Sequence, residues 1–158
     1  MKQSLSRTIL CNLLFIMLGF SAKSQLFSPV GSVPPDLGKE ATTILILETE
    51  RDMVNKAFDD VFSKSYKGSF EIIPDNYTGK KYSDIKKYRY VFQTIVTFVE
   101  ARGFGNNRQP ATFEYSYRIL DRETNKSYGE EWSTDTWKTY LKKYVKKLEE
   151  MRKSNAGE

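Results

Sequence analysis

Apolar and polar positions along the chain follow two periods, one near 3.6 residues and one of 2, and the changes of period mark out its elements. Ile44-Leu45-Ile46-Leu47, inside Thr42 to Thr49, is an unbroken apolar run that predicts a strand covered on both faces. Met53, Val54, Ala57, Phe58, Val61 and Phe62 then recur at helical spacing. They predict a helix with one apolar face, opened by Thr49 as cap with Asp52 as the acidic partner of a capping box and ended by Gly68. Ser69 to Ile73 returns as a short strand stopped by Pro74. Together these make a β-α-β unit, which crosses over right-handed if its strands are parallel neighbours.

After a loop at Asp75 to Lys81, Tyr82 to Tyr88 is expected to form a short helix. Tyr90 to Ala101 carries Val91, Phe92, Ile95, Val96, Phe98 and Val99 at both parities and predicts a long central strand. Gly103 to Pro110 is a loop. From Thr112 to Leu120 the apolar Phe113, Tyr115, Tyr117 and Ile119 alternate with polar residues, so one face is covered and one is wet. Asp121 to Lys126 is a turn and Ser127 to Trp132 a last strand. A closing helix from Asp135 to Arg152 places Trp137, Tyr140, Leu141, Tyr144, Val145 and Leu148 on one stripe, with lysines over much of the remainder. The order β-α-β-(α)-β-β-β-α describes a single α/β (α+β) domain over residues 41–152, a mixed sheet with helices packed on it. Residues 153–158 are expected as a disordered tail. Residues 25–40, with Pro29, Pro34 and Pro35, are expected as an extended arm. A spacer is the favoured role, because each proline removes a donor that strand addition would use.

The first residues bear on location. Lys2 and Arg7 precede an apolar run from Ile9 to Phe20, broken only at Asn12 and Gly19, and Ser21-Ala22-Lys23-Ser24-Gln25 follows it. This is the layout of a signal peptide, residues 1–24, cut after Ser24. The run falls short of the about 20 apolar residues of a spanning helix. Cys11 lies inside it, not at the cleavage point where a lipoprotein cysteine would stand, so it leaves with the signal. The expectation is an exported protein, periplasmic or secreted.

Composition then excludes chemistry. The chain has no histidine and one cysteine, so the mature domain has neither. Ser-His-Asp, Cys-His and zinc or haem sites built on histidine are impossible, and packing without disulfides must hold the fold. Removing Lys2, Arg7 and Lys23 lowers 25 basic residues to 22 against 20 acidic ones. An excess that small gives no reason to expect nucleic-acid binding. No cofactor and no metal site is expected.

Individual motifs add little chemistry. Gly103-Phe104-Gly105-Asn106-Asn107-Arg108 lacks the Gly-Lys-Ser/Thr ending of a phosphate loop. Phe104, between glycines at a loop tip, is placed to insert into a partner or lipid surface unless it folds back on its own sheet. Asp121, Glu123 and Asn125 have calcium-loop spacing without the required glycine or closing acid. Asp59-Asp60 and Glu130-Glu131 are adjacent pairs that cannot face each other as an acid/base dyad. Trp132, just before the last helix, is the aromatic most open to exposure. Phe104, Arg108 and Trp132 are therefore the candidate binding residues.

The apolar strand before Glu48, the helix around Lys56-Ala-Phe-Asp-Asp, the strand Phe70-Glu-Ile-Ile-Pro and Tyr88-Arg-Tyr-Val before a β-meander carry a resemblance over Ala41 to Glu150. In this order they resemble the small periplasmic α/β domain at the amino terminus of the Tol-system propeller protein and, more distantly, that of the curli secretion channel. This sequence contains neither the propeller of the first nor the membrane-spanning hairpins of the second. The resemblance implies a non-enzymatic envelope module that binds envelope proteins or assembles. The alternative is a carbohydrate- or lipid-surface binder using Trp132, Phe104 and the basic helix; a carboxylate-based hydrolase ranks third.

Overall fold

Four consecutive apolar residues need cover on both sides, and the position of Ile44 to Leu47 in the sheet supplies it. The computed structural model of the protein describes residues 27–30, 32–76, 80–103, 108–133 and 136–158. Its elements are β1 (Phe27–Val30), β2 (Thr43–Leu47), α1 (Asp52–Ser65), β3 (Ser69–Ile73), β4 (Tyr90–Val99), β5 (Thr112–Asp121), β6 (Lys126–Ser133) and α2 (Trp137–Ala156). One mixed sheet of six strands runs in the order β1-β6-β5-β4-β2-β3. β2 is parallel to β3 on one side and to β4 on the other, β4-β5-β6 is an antiparallel meander, and β1 lies parallel to β6.

Both helices pack on one face of this sheet. Ile44 and Ile46 of β2, Phe92 of β4 and Tyr117 and Ile119 of β5 meet Phe58 and Phe62 of α1 and Leu141, Tyr144 and Leu148 of α2. Phe92 is the hub, with ring centroids of Phe58 at 5.6 Å, Phe62 at 5.2 Å and Tyr117 at 5.9 Å. Each fully buried large side chain contributes about 1.5–3 kcal/mol. The other face carries a smaller patch over β4, β2 and β3, made of Leu45, Ile73, Tyr88 and Val91 and backed by Leu47, Tyr82 and Leu120. β2 is thus buried on both sides, and the α+β class and single mixed sheet are as the periodicity indicates.

The arm is not a spacer. Leu37 is fully buried in the main core and Val33 packs against it. Tyr144 donates its hydroxyl to Ser32 O at 3.1 Å, and Asn155 Nδ2 donates to Pro35 O at 2.8 Å and Leu37 O at 2.9 Å. Gly38 has φ +95°, and a Cβ there would stand 2.5 Å from Arg152 O, so only glycine allows this approach. The prolines permit the arm's path: Pro29 sits in an edge strand, and Pro34 accepts the Leu37 N–H within a turn.

The tail is a second correction. α2 continues past Arg152 to Ala156 and ends at Gly157, which has φ 73° and donates its N–H to Lys153 O. Arg152 fastens this last turn, bonding Glu149 at 2.9 Å and Glu158 at 2.8 Å. α1 also starts differently. The cap is Arg51, whose side chain makes no capping bond; Thr49 Oγ1 accepts the Arg51 N–H at 3.2 Å, and Asn55, inside the first turn, accepts from the Thr49 N–H at 2.8 Å and donates to Thr49 O at 2.9 Å. α1 stops at Ser65, before Gly68, where Tyr66 turns extended to bury its ring. The helix expected at Tyr82 to Tyr88 is a 3-10 turn at Lys80–Tyr82 and then a single turn from Asp84, whose Oδ1 accepts the Lys86 and Lys87 N–H groups as a cap and whose backbone O accepts the Tyr88 N–H at 2.9 Å; β4 begins at Tyr90, before a second turn can form. The signal peptide, Cys11 and Phe104 lie outside the described residues.

Candidate functional site

β4 has ten residues and its neighbour β2 only five. Their pairing covers Leu45 with Val91 and Ile46 with Phe92. The chain then leaves: the Glu48 N–H bonds Ile73 O at 2.8 Å, and Thr49 is held by Asn55. The outer half of β4, Thr94 to Val99, is bonded to β5 on one side and, among the described residues, has no backbone partner on the other. In an antiparallel ladder alternate residues turn both their N–H and C=O to the same side. Every second residue of this stretch therefore presents a free donor and acceptor to solvent, the arrangement that invites another strand.

A groove of about 510 Å³ runs along this edge. Val96 and Phe98 project to the helix side of the sheet, where Phe98 tilts against Phe113 at 5.3 Å between ring centroids. Arg51, at the start of α1, lays its guanidinium 3.6 Å over the Phe113 ring and donates from Nη1 to the Tyr115 hydroxyl at 3.3 Å. Tyr115 in turn stacks on Trp137 at 5.1 Å, so a continuous wall of rings and guanidinium stiffens that side. On the other side Ile95 lies beside Gln93, whose Oε1 accepts from Arg118 Nε at 2.7 Å. Phe98 is 56% exposed and Ile95 42% exposed. Where β2 and β3 end, the groove is lined by the exposed Glu48, Glu50 and Asp75, none of them in an ion pair among the described residues.

No known protein family, curated protein or solved structure matches the chain. The site must therefore be judged on its own geometry. It offers free backbone groups, exposed apolar side chains on both sides of one strand and a charged end, which is equipment for holding a chain in extended form. Among the described residues no group of three or more His, Cys, Asp or Glu side chains is placed to hold a metal ion.

The perturbed ionisable groups stand elsewhere and hold the fold. Burial alone would raise Asp121, but two bonds from Arg89, at 3.0 and 2.8 Å, and the Glu123 N–H at 3.0 Å outweigh it and hold its carboxyl below the usual range. Glu149 is lowered by Arg152, against the opposing effect of burial, and by the Lys67 N–H at 3.0 Å.

Of the candidate residues read from the sequence, Phe104 lies outside the described residues. Arg108 is exposed beside the Arg102–Gln109 bridge at the far end of the β4–β5 arm. Trp132 pairs through its backbone with Tyr115 in the β5–β6 ladder, and its side chain is outside what is described. The groove is built instead from Arg51, Ile95, Phe98, Phe113 and Arg118. No local signal marked it: that the five-residue β2 lies beside the ten-residue β4, leaving half its edge uncovered, is a matter of sheet order.

Proposed function

We propose that the protein is an exported, non-enzymatic module of the cell envelope that binds another protein, with the outer half of β4 as its contact surface. The observation that carries this reading is the unpaired edge from Thr94 to Val99 flanked by the exposed Ile95 and Phe98. Apolar side chains left in water beside unsatisfied strand groups are a liability in a monomer and an asset in a complex. The signal-like leader and the resemblance to periplasmic modules of the Tol and curli systems support the location and the absence of catalysis. The experiment is site-specific photocrosslinking in living cells, with benzoylphenylalanine at position 98 or, as control, at Lys146 on the outer face of α2, whose side chain is 77% exposed. A discrete protein adduct from 98 that is absent from 146 is the expected result. Equal labelling from both positions, or substrate turnover by the purified protein abolished by one carboxylate substitution, would overturn it.

The lipid-surface alternative rests on Lys138, Lys142, Lys143 and Lys146, exposed on α2 or at its junction with α1. Co-sedimentation with phosphatidylglycerol vesicles, reduced by Lys142→Glu with Lys146→Glu and not by Phe98→Asp, would favour that surface over the β4 edge.

A further inference from the structure

We infer that the partner enters the groove as an extended polypeptide segment that adds a strand to β4, with a basic residue seated against Glu48, Glu50 and Asp75. This rests on the protein-binding reading above and names the form and charge of what is bound.

The backbone decides the form. Thr94 to Val99 is six residues of regular strand, a length of about 20 Å at 3.3 Å per residue, and its outward N–H and C=O groups are matched at that spacing only by another extended chain. The lane is already defined, because β2 occupies its first part and turns out at Glu48. An added strand continues that lane and abuts the loop from Glu48 to Arg51. Side chains of such a strand alternate between the two faces. On the helix side they meet Val96, Phe98 and Phe113; on the other they meet Ile95 and Leu47. Apolar residues suit both.

Charge decides the end. Three exposed carboxylates line the groove at the end where β2 stops, with no cation paired to them among the described residues, whereas Arg51 and Arg118 are engaged with Phe113 and Gln93. A lysine or arginine at the segment's terminus beside the loop is the complement. The same charges argue against a second copy of this chain. Two β4 edges paired antiparallel about the middle of Thr94 to Val99 would bring Glu100 of each copy up to the acidic end of the other, a like-charge juxtaposition.

The test uses the mature protein and a fluorescein-labelled peptide, Lys-Val-Thr-Val-Thr-Val, followed by anisotropy, with circular dichroism confirming that each variant is folded. Saturable binding is expected, with new amide-exchange protection confined to β4. Replacing the peptide's lysine by glutamate should weaken binding about tenfold. Glu48→Lys with Glu50→Lys should reverse that preference, a swap no loss of folding could imitate. Alternate N-methylation of the peptide backbone should abolish binding in one phase and spare it in the other. No binding by any of these strands while the position-98 adduct persists would overturn the strand inference and leave the protein-binding reading standing. Failure of the adduct as well would remove both. A concentration-dependent dimer dissolved by Ile95→Lys would replace the foreign segment with a second copy.

Discussion

Two buried tyrosines show how one hydroxyl can be worth opposite amounts. Tyr117 donates to Trp137 O at 3.1 Å and so joins β5 to the start of α2. Tyr90, equally buried, has a hydroxyl with no partner among the described residues. A satisfied buried hydrogen bond contributes about 1 kcal/mol net, whereas a stranded hydroxyl costs the loss of its hydration. Tyr117→Phe should therefore lower the urea-unfolding free energy by about 1 kcal/mol, and Tyr90→Phe should leave it unchanged or raise it by up to about 1 kcal/mol. A larger loss for Tyr90→Phe than for Tyr117→Phe would show that the Tyr90 hydroxyl has a partner after all.

Among the elements, the arm tests the difference between pattern and packing. Its prolines and glycines prevent a regular helix or central strand, yet Leu37 enters the core and Asp36 comes within 3.5 Å of Arg89. A chain beginning at residue 32 should keep most of its thermal stability, losing only the β1 pairing. One beginning at residue 40 should melt many degrees lower, and Leu37→Ala alone should cost about 3 kcal/mol. If the chain beginning at residue 40 melts with the parent, the arm is a spacer and the contacts of Ser32 to Gly38 contribute nothing.

At the scale of the whole molecule, the ionisable groups set a stability plateau with two edges. Asp36, Glu71, Asp121 and Glu149 all have carboxyls lowered in the fold, Asp121 by Arg89 in spite of burial and the others chiefly by bonds to Lys39, Lys81 and Arg152. The unfolded chain thus binds more protons in the carboxylate range. The stabilisation is complete above the unfolded values and is lost as pH falls through them toward the folded ones. Burial raises the phenols of Tyr66, Tyr90 and Tyr117, so their neutral form is the folded one and stability falls as pH rises past about 10. Between these edges there is no histidine to titrate. Melting temperature should be level near neutrality, fall below about pH 5, and fall less steeply on the acid side in Asp121→Asn. A profile level from pH 7 to 3 would show that these carboxylates are not stabilising the fold.

By itself the sequence determined the elements whose apolar spacing is decisive: the doubly covered β2, the faces of α1 and α2, and the alternation of β5. It also excluded chemistry that needs histidine, since composition does not depend on folding. It carried less about the ends of elements, because Asn55, Tyr66 and Arg152 act through partners that no local period reveals. Only the tertiary structure decided that an arm of prolines is part of the core, because Leu37 is a single apolar residue whose burial depends on α2 lying across it. The groove was decided at the same level. Apolar residues at both parities made β4 read as covered throughout, but cover comes from neighbouring strands, and β2 is five residues too short to reach Ile95 and Phe98.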